Sequence, residues 1–391
     1  MRGGSTFTPT PETLIDHSTW DSAPFNRWSF QNMASVVPTV PVRRGEQVRP
    51  LPSGKGEVED ISFIDHRGSE TTIEQFIDRS FTDGFIVLHR GSIVVEEYRN
   101  RMTSSTLHLS QSVAKSIVAT TAGALIGRGE IDPTDPMERF APRLQGTAYE
   151  GAQLQDVLDM RSGVQFSEDY LDPASDVSAL DRASGWKPGG EGDATCVPEF
   201  IRRLVTDRPH GGAFSYRSIE TEAIALVLEA VSGLRLSELV SHEVWSRIGA
   251  EHDASFTVDR SGHALADGGF NATLRDYARF GQMHLDMGEV EGNRVVAADW
   301  IAQCRTGDNG VFQGIYRDRF PNGAYRNQFW MEDLSTGAYS ARGVFGQQIH
   351  IDPSTNVVIV KLSSWPLPSM DDLGVDTYTM MRAITGHFSG A

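Results

Sequence analysis

The stretch Ser110-Gln111-Ser112-Val113-Ala114-Lys115-Ser116 opens onto a run, residues 116 to 126, made almost wholly of small and apolar side chains. Wound as a helix, such a run is apolar on every side, so it has no solvent face and must be buried all round. The rest of the chain has to supply its walls. If the helix begins near Ser110 or Gln111 and continues to Arg128, Ser112 and Lys115 stand three apart on one face, and hydroxyl and amine can meet. Burial disfavours the ammonium form, so Lys115 is expected to fall from about 10.4 towards neutrality and to act as general base for a Ser112 nucleophile. Taken alone, Ser-x-x-Lys is also satisfied by a serine cap with a lysine snorkelling from a helix end. A second copy, Ser184-Gly185-Trp186-Lys187, lies beside Pro188-Gly189-Gly190 and reads as loop. Of the four lysines, Lys115 is the one embedded in such an apolar run.

Length and composition set the frame. The 391 residues suit two or three domains, and a hydrophobic fraction of 39% suits an ordinary globular core. A net charge of -17 argues against a nucleic-acid partner and against anionic surfaces. Cys196 and Cys304 stand far apart with no metal-ligand spacing, and neither metal nor cofactor is expected. Residues 1 to 20 lack the apolar stretch of a secretion signal, and no run of about 18 apolar residues occurs, so no membrane association and a cytoplasmic location are expected. A homodimer stays open.

In chain order, residues 1 to 60 read as a loosely structured arm. Gly84 to Asn100 reads as a β-hairpin turning at His89-Arg90-Gly91-Ser92. Helices are expected at Ser112–Arg128, Leu154–Met160, Ile219–Ser232, Leu236–Ile248, Leu274–Met287 and Ala297–Cys304. Strands return at Gln328–Asp333, Tyr339–Ile351 and Val357–Ser363, and Met370–Phe388 closes the chain as a helix. A sheet begun before the helical region and completed after it implies an α/β plus all-α fold: an antiparallel sheet flanked by helices, from residues 61–109 and 321–391, with a helical domain, 110–320, inserted.

A serine–lysine pair still needs a proton donor for the leaving atom and an oxyanion hole. Tyr216-Arg217-Ser218, ahead of an apolar helix, is the candidate for the first; Tyr216 as a packing aromatic and Ser218 as a helix cap is the other reading. Gly343-Val344-Phe345-Gly346 permits close backbone approach and is the candidate for the second, with a bulge in an ordinary strand as its alternative.

Together, Ser112-x-x-Lys115, Tyr216-x-Ser218 and a glycine-bearing strand near the C-terminus resemble the serine β-lactamase and penicillin-binding-protein superfamily. Within it the chain looks most like the nylon oligomer (6-aminohexanoate-dimer) hydrolases. The resemblance implies a β-lactamase-like fold, a Ser112 nucleophile, Lys115 as base and Tyr216 as proton relay, with the N–H groups of Ser112 and Val344 as the oxyanion hole. It also places Tyr170, Asp181 and Trp186 at the substrate cleft, with Asp267 and Gly343 as further binding positions. Asp181 would pair with a substrate ammonium while Tyr170 and Trp186 cover an aliphatic chain. Asp267 could instead cap the helix near Leu274. Where β-lactamases carry Lys-Thr-Gly or His-Thr-Gly, this chain reads Ala341-Arg342-Gly343. That departure disfavours β-lactams, although Arg342 could partly replace the lost cation. The expected substrate is a small linear amide or an ester; a general carboxylesterase and a non-catalytic binding protein are the alternatives. No Gly-x-Ser-x-Gly elbow is present, and His108 and His350 read as structural.

Overall fold

The computed structural model describes residues 15–54, 58 and 61–389. Its centre is a seven-stranded antiparallel sheet in the order Ala324–Arg326, Phe329–Met331, Tyr339–Gly343, Gln347–Asp352, Val357–Ser363, Thr82–His89, Ser92–Tyr98. The Thr82–His89 and Ser92–Tyr98 strands join through Arg90 and Gly91, both at positive φ (49° and 76°), the two-residue turn whose twist suits a hairpin.

Phe85-Ile86-Val87-Leu88 is apolar without a break because both faces of the sheet are covered. Ile86 and Leu88 join the core shared with Val358, Val360 and Met283, while Phe85 and Val87 join that of Ile359, Met380, Met381 and Ile384. Alternation along each strand thus feeds two layers. One is the closing helix Asp371–Phe388; the other is Leu274–Leu285, which packs on the sheet rather than in a separate helical body. Gly281 lets that helix come close: a Cβ there would lie 2.6 Å from Val358 Cγ1.

The region from 110 to 320 is not wholly helical. It carries strands Ala254–Thr257 and Phe270–Ala272, which form a second sheet with Thr39–Val42 and His108–Leu109. The described part of the first sixty residues is correspondingly built in rather than laid on the surface. Thr39–Val42 pairs with Ala254–Thr257, and Trp20, Phe30 and Met33 are buried.

Three further elements differ from the sequence reading. Tyr339–Ile351 is two strands, reversed at Val344-Phe345-Gly346, where Phe345 and Gly346 have φ of 59° and 87°. Leu236–Val240 passes into a π-helical turn, Ser241–Trp245, instead of running on as one helix. The expected helices omit one that forms in the acidic stretch after Ser167: Asp176–Ser184, capped by Ser175, whose hydroxyl accepts from the Ser178 N–H, and stopped by Gly185 at φ 80°.

Candidate active site

The apolar helix forms as expected over Val113–Gly127, with every side chain from Val113 to Leu125 buried. Gln111, at φ 49°, bends the chain out of the short His108–Leu109 strand and sets Ser112 at the helix N-cap. There Lys115 Nζ lies 3.0 Å from Ser112 Oγ, 3.1 Å from Ser218 Oγ and 2.5 Å from the Asp267 carbonyl oxygen. An ammonium with three acceptors is fully engaged.

The electrostatics correct one expectation. Burial does press Lys115 down, but Tyr216, Asp267, Glu168 and Glu222 outweigh it and leave Lys115 above its ordinary value. The lysine that burial does drive down, to about 7, is Lys361. It sits in Val357–Ser363, donates to Ser363 Oγ and stands 5.4 Å from the Trp365 ring centre. Lys115 is therefore not the only lysine in an apolar run.

Tyr216 turns its hydroxyl to Ser112 and Lys115, and its ring centre is 5.5 Å from Lys115 Nζ. The same ring stacks on Trp330 at 5.6 Å, so Tyr216 packs and faces Ser112 at once. Burial, reinforced by Glu168, raises Tyr216 against the lowering pull of Lys115, so it is a neutral phenol near pH 7. Ser218 stands at the N-cap of Ile219–Ser232 but makes no side-chain cap bond; its hydroxyl goes to Glu168 instead.

The strand before the reversal meets the turn at Ser112 directly. A Cβ on Gly343 would lie 2.7 Å from the Ser110 carbonyl oxygen and 3.0 Å from the Ser112 nitrogen. Only glycine brings residues 343 and 344 alongside the Ser112 amide. Ser112, Tyr216, Gly343 and Val344 line a cleft of about 320 Å³. A second lobe of about 540 Å³ adjoins it and is lined by Asp181, Trp186 and Lys187. Tyr170 and Val344 border both lobes.

Asp181, on the unexpected helix, is pushed up to about 7 by burial and then by Asp21, against Lys187 and Arg182. Asp267 is placed differently from the expectation. Its carbonyl holds Lys115, while burial and its hydrogen bond to Glu222 lift its carboxyl well above the usual range. The Asp267 N–H also donates to Glu222, at 2.9 Å. Asp267 lines neither lobe and does not cap the helix at Leu274, a role taken by Thr273. Arg342 lies in the first lobe over Phe320 and Trp330, 3.4 Å from Glu332. His108 bonds Asp83 and the Leu109 carbonyl, and His350 bonds Ser340; both are buried.

Two site residues escaped sequence reasoning. Glu168 accepts from the Ser218 N–H at 2.8 Å and from the Tyr170 hydroxyl at 2.6 Å. Asp21 faces the second lobe from the N-terminal segment, paired with Lys187. Glu168 is one of two acids directly before Tyr170, and nothing in the local sequence marks Asp21. Among the described residues no group of three His, Cys, Asp or Glu side chains is arranged to hold a metal, and no helix is long and apolar enough to cross a membrane.

Comparison with known proteins places this geometry in context. Residues 70–380 match the Beta-lactamase family. The chain is 38% identical over 352 residues to the 6-aminohexanoate-dimer hydrolase of Paenarthrobacter ureafaciens, spanning 89% of this chain and 88% of that protein. A solved structure from Bacillus anthracis, provisionally assigned as a 6-aminohexanoate-dimer hydrolase, superposes with a TM-score of 0.90 at 28% identity, covering 98% of this chain and 99% of that one. A family VIII carboxylesterase shares the fold at 15% identity, with a TM-score of 0.57 over 79% of this chain and 96% of its own.

Proposed function

The chain is a 6-aminohexanoate-dimer hydrolase-like member of the Beta-lactamase family of serine hydrolases, and from that premise we propose that it cleaves linear amides of amino-carboxylic acids, and small carboxylic esters, through an acyl-enzyme on Ser112. The observation that carries the reading is Lys115 Nζ 3.0 Å from Ser112 Oγ at the floor of a cleft whose neighbouring lobe holds Asp181.

Ser112 attacks the carbonyl while Lys115, relieved of its own proton, takes the hydroxyl proton. Tyr216, a neutral phenol facing both, hands a proton to the leaving nitrogen and is refilled from Lys115. The N–H groups of Ser112 and Val344 hold the oxyanion, and water then releases the acyl group. In the second lobe Asp181 pairs with the substrate ammonium, while Tyr170 and Trp186 enclose the aliphatic chain. The pairing of Arg342 with Glu332 leaves it poorly placed to take a β-lactam carboxylate, which supports a linear substrate. Residues 110–320 supply Ser112, Lys115 and Tyr216, and residues 321–391 supply Gly343 and Val344.

The test compares hydrolysis of a 6-aminohexanoate linear dimer with that of nitrophenyl acetate. Ser112→Ala should lose both activities by roughly a thousandfold or more. Asp181→Asn should raise KM for the dimer by about ten- to a hundredfold, the worth of a charged hydrogen bond, and leave the ester within a few-fold. Cleavage of the ester alone, indifferent to Asp181→Asn, would make the protein a carboxylesterase.

A further inference from the structure

A base that rests as an ammonium must first lose a proton, and the hydrogen bonds around Lys115 lead to one carboxylate through one hydroxyl. Lys115 Nζ donates to Ser218 Oγ at 3.1 Å, and the Ser218 hydroxyl donates on to Glu168 Oε1. The Ser218 backbone N–H holds the other Glu168 oxygen at 2.8 Å, and the Tyr170 hydroxyl holds Oε1 at 2.6 Å. Glu168 also lines the cleft with Ser112 and Tyr216. It is a carboxylate fixed by three donors, one hydroxyl away from the base.

We propose that Glu168 is the proton acceptor behind Lys115, reached through the Ser218 hydroxyl, and that this carboxylate is what makes Lys115 competent to deprotonate Ser112. The proposal rests on Ser112 being the nucleophile and Lys115 its base. In the step, a Lys115 N–H bond breaks as Ser218 Oγ takes the proton, and the Ser218 O–H bond breaks as Glu168 Oε1 takes that proton. The products are a neutral amine, an unchanged hydroxyl and a carboxylic acid, so an ion pair becomes a neutral pair and no charge is created in the buried site. The Lys115 lone pair then accepts the Ser112 proton as Oγ bonds to the substrate carbonyl. That proton leaves through Tyr216 on the departing nitrogen. After hydrolysis of the acyl group, Glu168 returns its proton by the same hydroxyl.

The other groups facing Lys115 do not offer this route. Burial raises both Tyr216 and Asp267, Lys115 meets Asp267 at its backbone carbonyl, and Glu222 bonds His263 and the Asp267 N–H. A purely electrostatic role for Glu168 gives the opposite sign to the relay. Its charge helps to raise Lys115, so removing it would lower Lys115, free more neutral amine and carry activity to lower pH.

The experiment is pre-steady-state acylation by nitrophenyl acetate from pH 5.5 to 9 in the wild type, Glu168→Gln, Glu168→Asp and Ser218→Ala, with Ser112→Ala as reference. Glutamine keeps an acceptor for Ser218 but cannot take a proton. Glu168→Gln and Ser218→Ala should each slow acylation by about a hundredfold with KM unchanged. The double variant should be no slower than either single one, and Glu168→Asp should recover most of the rate. Acylation within a few-fold of wild type in Glu168→Gln, an acid limb moved to lower pH with the plateau rate kept, or equal losses in Glu168→Gln and Glu168→Asp would each overturn the proposal. If Glu168→Gln fails to fold by thermal unfolding, Glu168→Asp and Ser218→Ala decide it: recovery in the first with loss in the second supports the relay, and any other pair of results overturns it. Acylation of Ser112→Ala would instead overturn the nucleophile assignment, a separate failure.

Discussion

Two ionisable side chains, Lys361 in the core and Asp181 in the second lobe, carry costs that single substitutions can expose. Lys361 is fully buried, and burial holds it at about 7 against a small opposing pull from Asp83. Because its folded value lies below the unfolded one, the unfolded chain binds the extra proton between about 7 and 10.5. This lysine's contribution to stability therefore rises with pH through that window and is least favourable below about 7. Lys361→Met, close in volume, should stabilise the fold at pH 6 by roughly 1–4 kcal/mol and flatten that rise, as read by urea unfolding at pH 6, 7.5 and 9. Asp181 titrates in the opposite sense for function. With its carboxyl near 7, the free enzyme loses the proposed amine-binding charge as pH falls through neutrality, so the ratio of kcat/KM for the amino-terminated dimer to that for the ester should fall below about pH 7. Asp21→Asn removes a raising charge and should move that fall to lower pH; a fall that stays put would show that Asp21 does not reach Asp181.

At the scale of elements, the close meeting of the Tyr339–Gly343 strand with the nucleophile turn is the joint on which the chemistry depends. Gly343→Ala would set a methyl 2.7 Å from the Ser110 carbonyl oxygen, so strand and turn must part by several tenths of an ångström. On the proposed mechanism the Val344 N–H then leaves the oxyanion position, and kcat should drop about a hundredfold for amide and ester alike, with the fold kept by circular dichroism. That joint was only half legible in the sequence. Gly343 announced a close approach, but the reversal after it did not: Val344 and Phe345 are apolar, and a Phe at positive φ is not a turn signal. Where periodicity and breakers agree, as in Ile219–Ser232 and Val357–Ser363, the sequence bounds coincide with the observed ones. The helix Asp176–Ser184 was hidden by its acidity despite the Ser175 cap and the Gly185 stop. Lys361 escaped because a lone lysine in a strand reads as a solvent-facing position, whereas this strand is covered on both sides. The Ser112, Lys115 and Tyr216 cluster was legible because spacing along one helix fixes two of its members. Glu168 and Asp21 arrive from distant loops and could be seen only in three dimensions.

At the scale of the whole molecule, the described N-terminal segment is a wall of the second lobe. Trp20 is buried, its Nε1–H donates to the Trp186 carbonyl at 2.7 Å, and its ring meets that of Trp186 edge-on at 5.2 Å. Trp186 in turn donates from Nε1 to Thr257 Oγ1 at 3.0 Å, in the strand that pairs with Thr39–Val42. The segment thus grips the second lobe twice, once through Trp20 and once through the small sheet. Lys187, next to Trp186, is tied to Asp21 and lies 5.9 Å from the Trp20 ring centre, so the charges that surround Asp181 depend on the same anchor. Trp20→Ala should therefore do two things. Loss of a buried indole should cost about 3–5 kcal/mol of stability, read by chemical unfolding. Release of Trp186 and Lys187 should also raise KM for the amino-terminated dimer several-fold, while nitrophenyl acetate, too small to reach that lobe, keeps its kcat/KM. A variant equally impaired on both substrates would mean that the segment supports the fold as a whole and has no particular hold on the lobe.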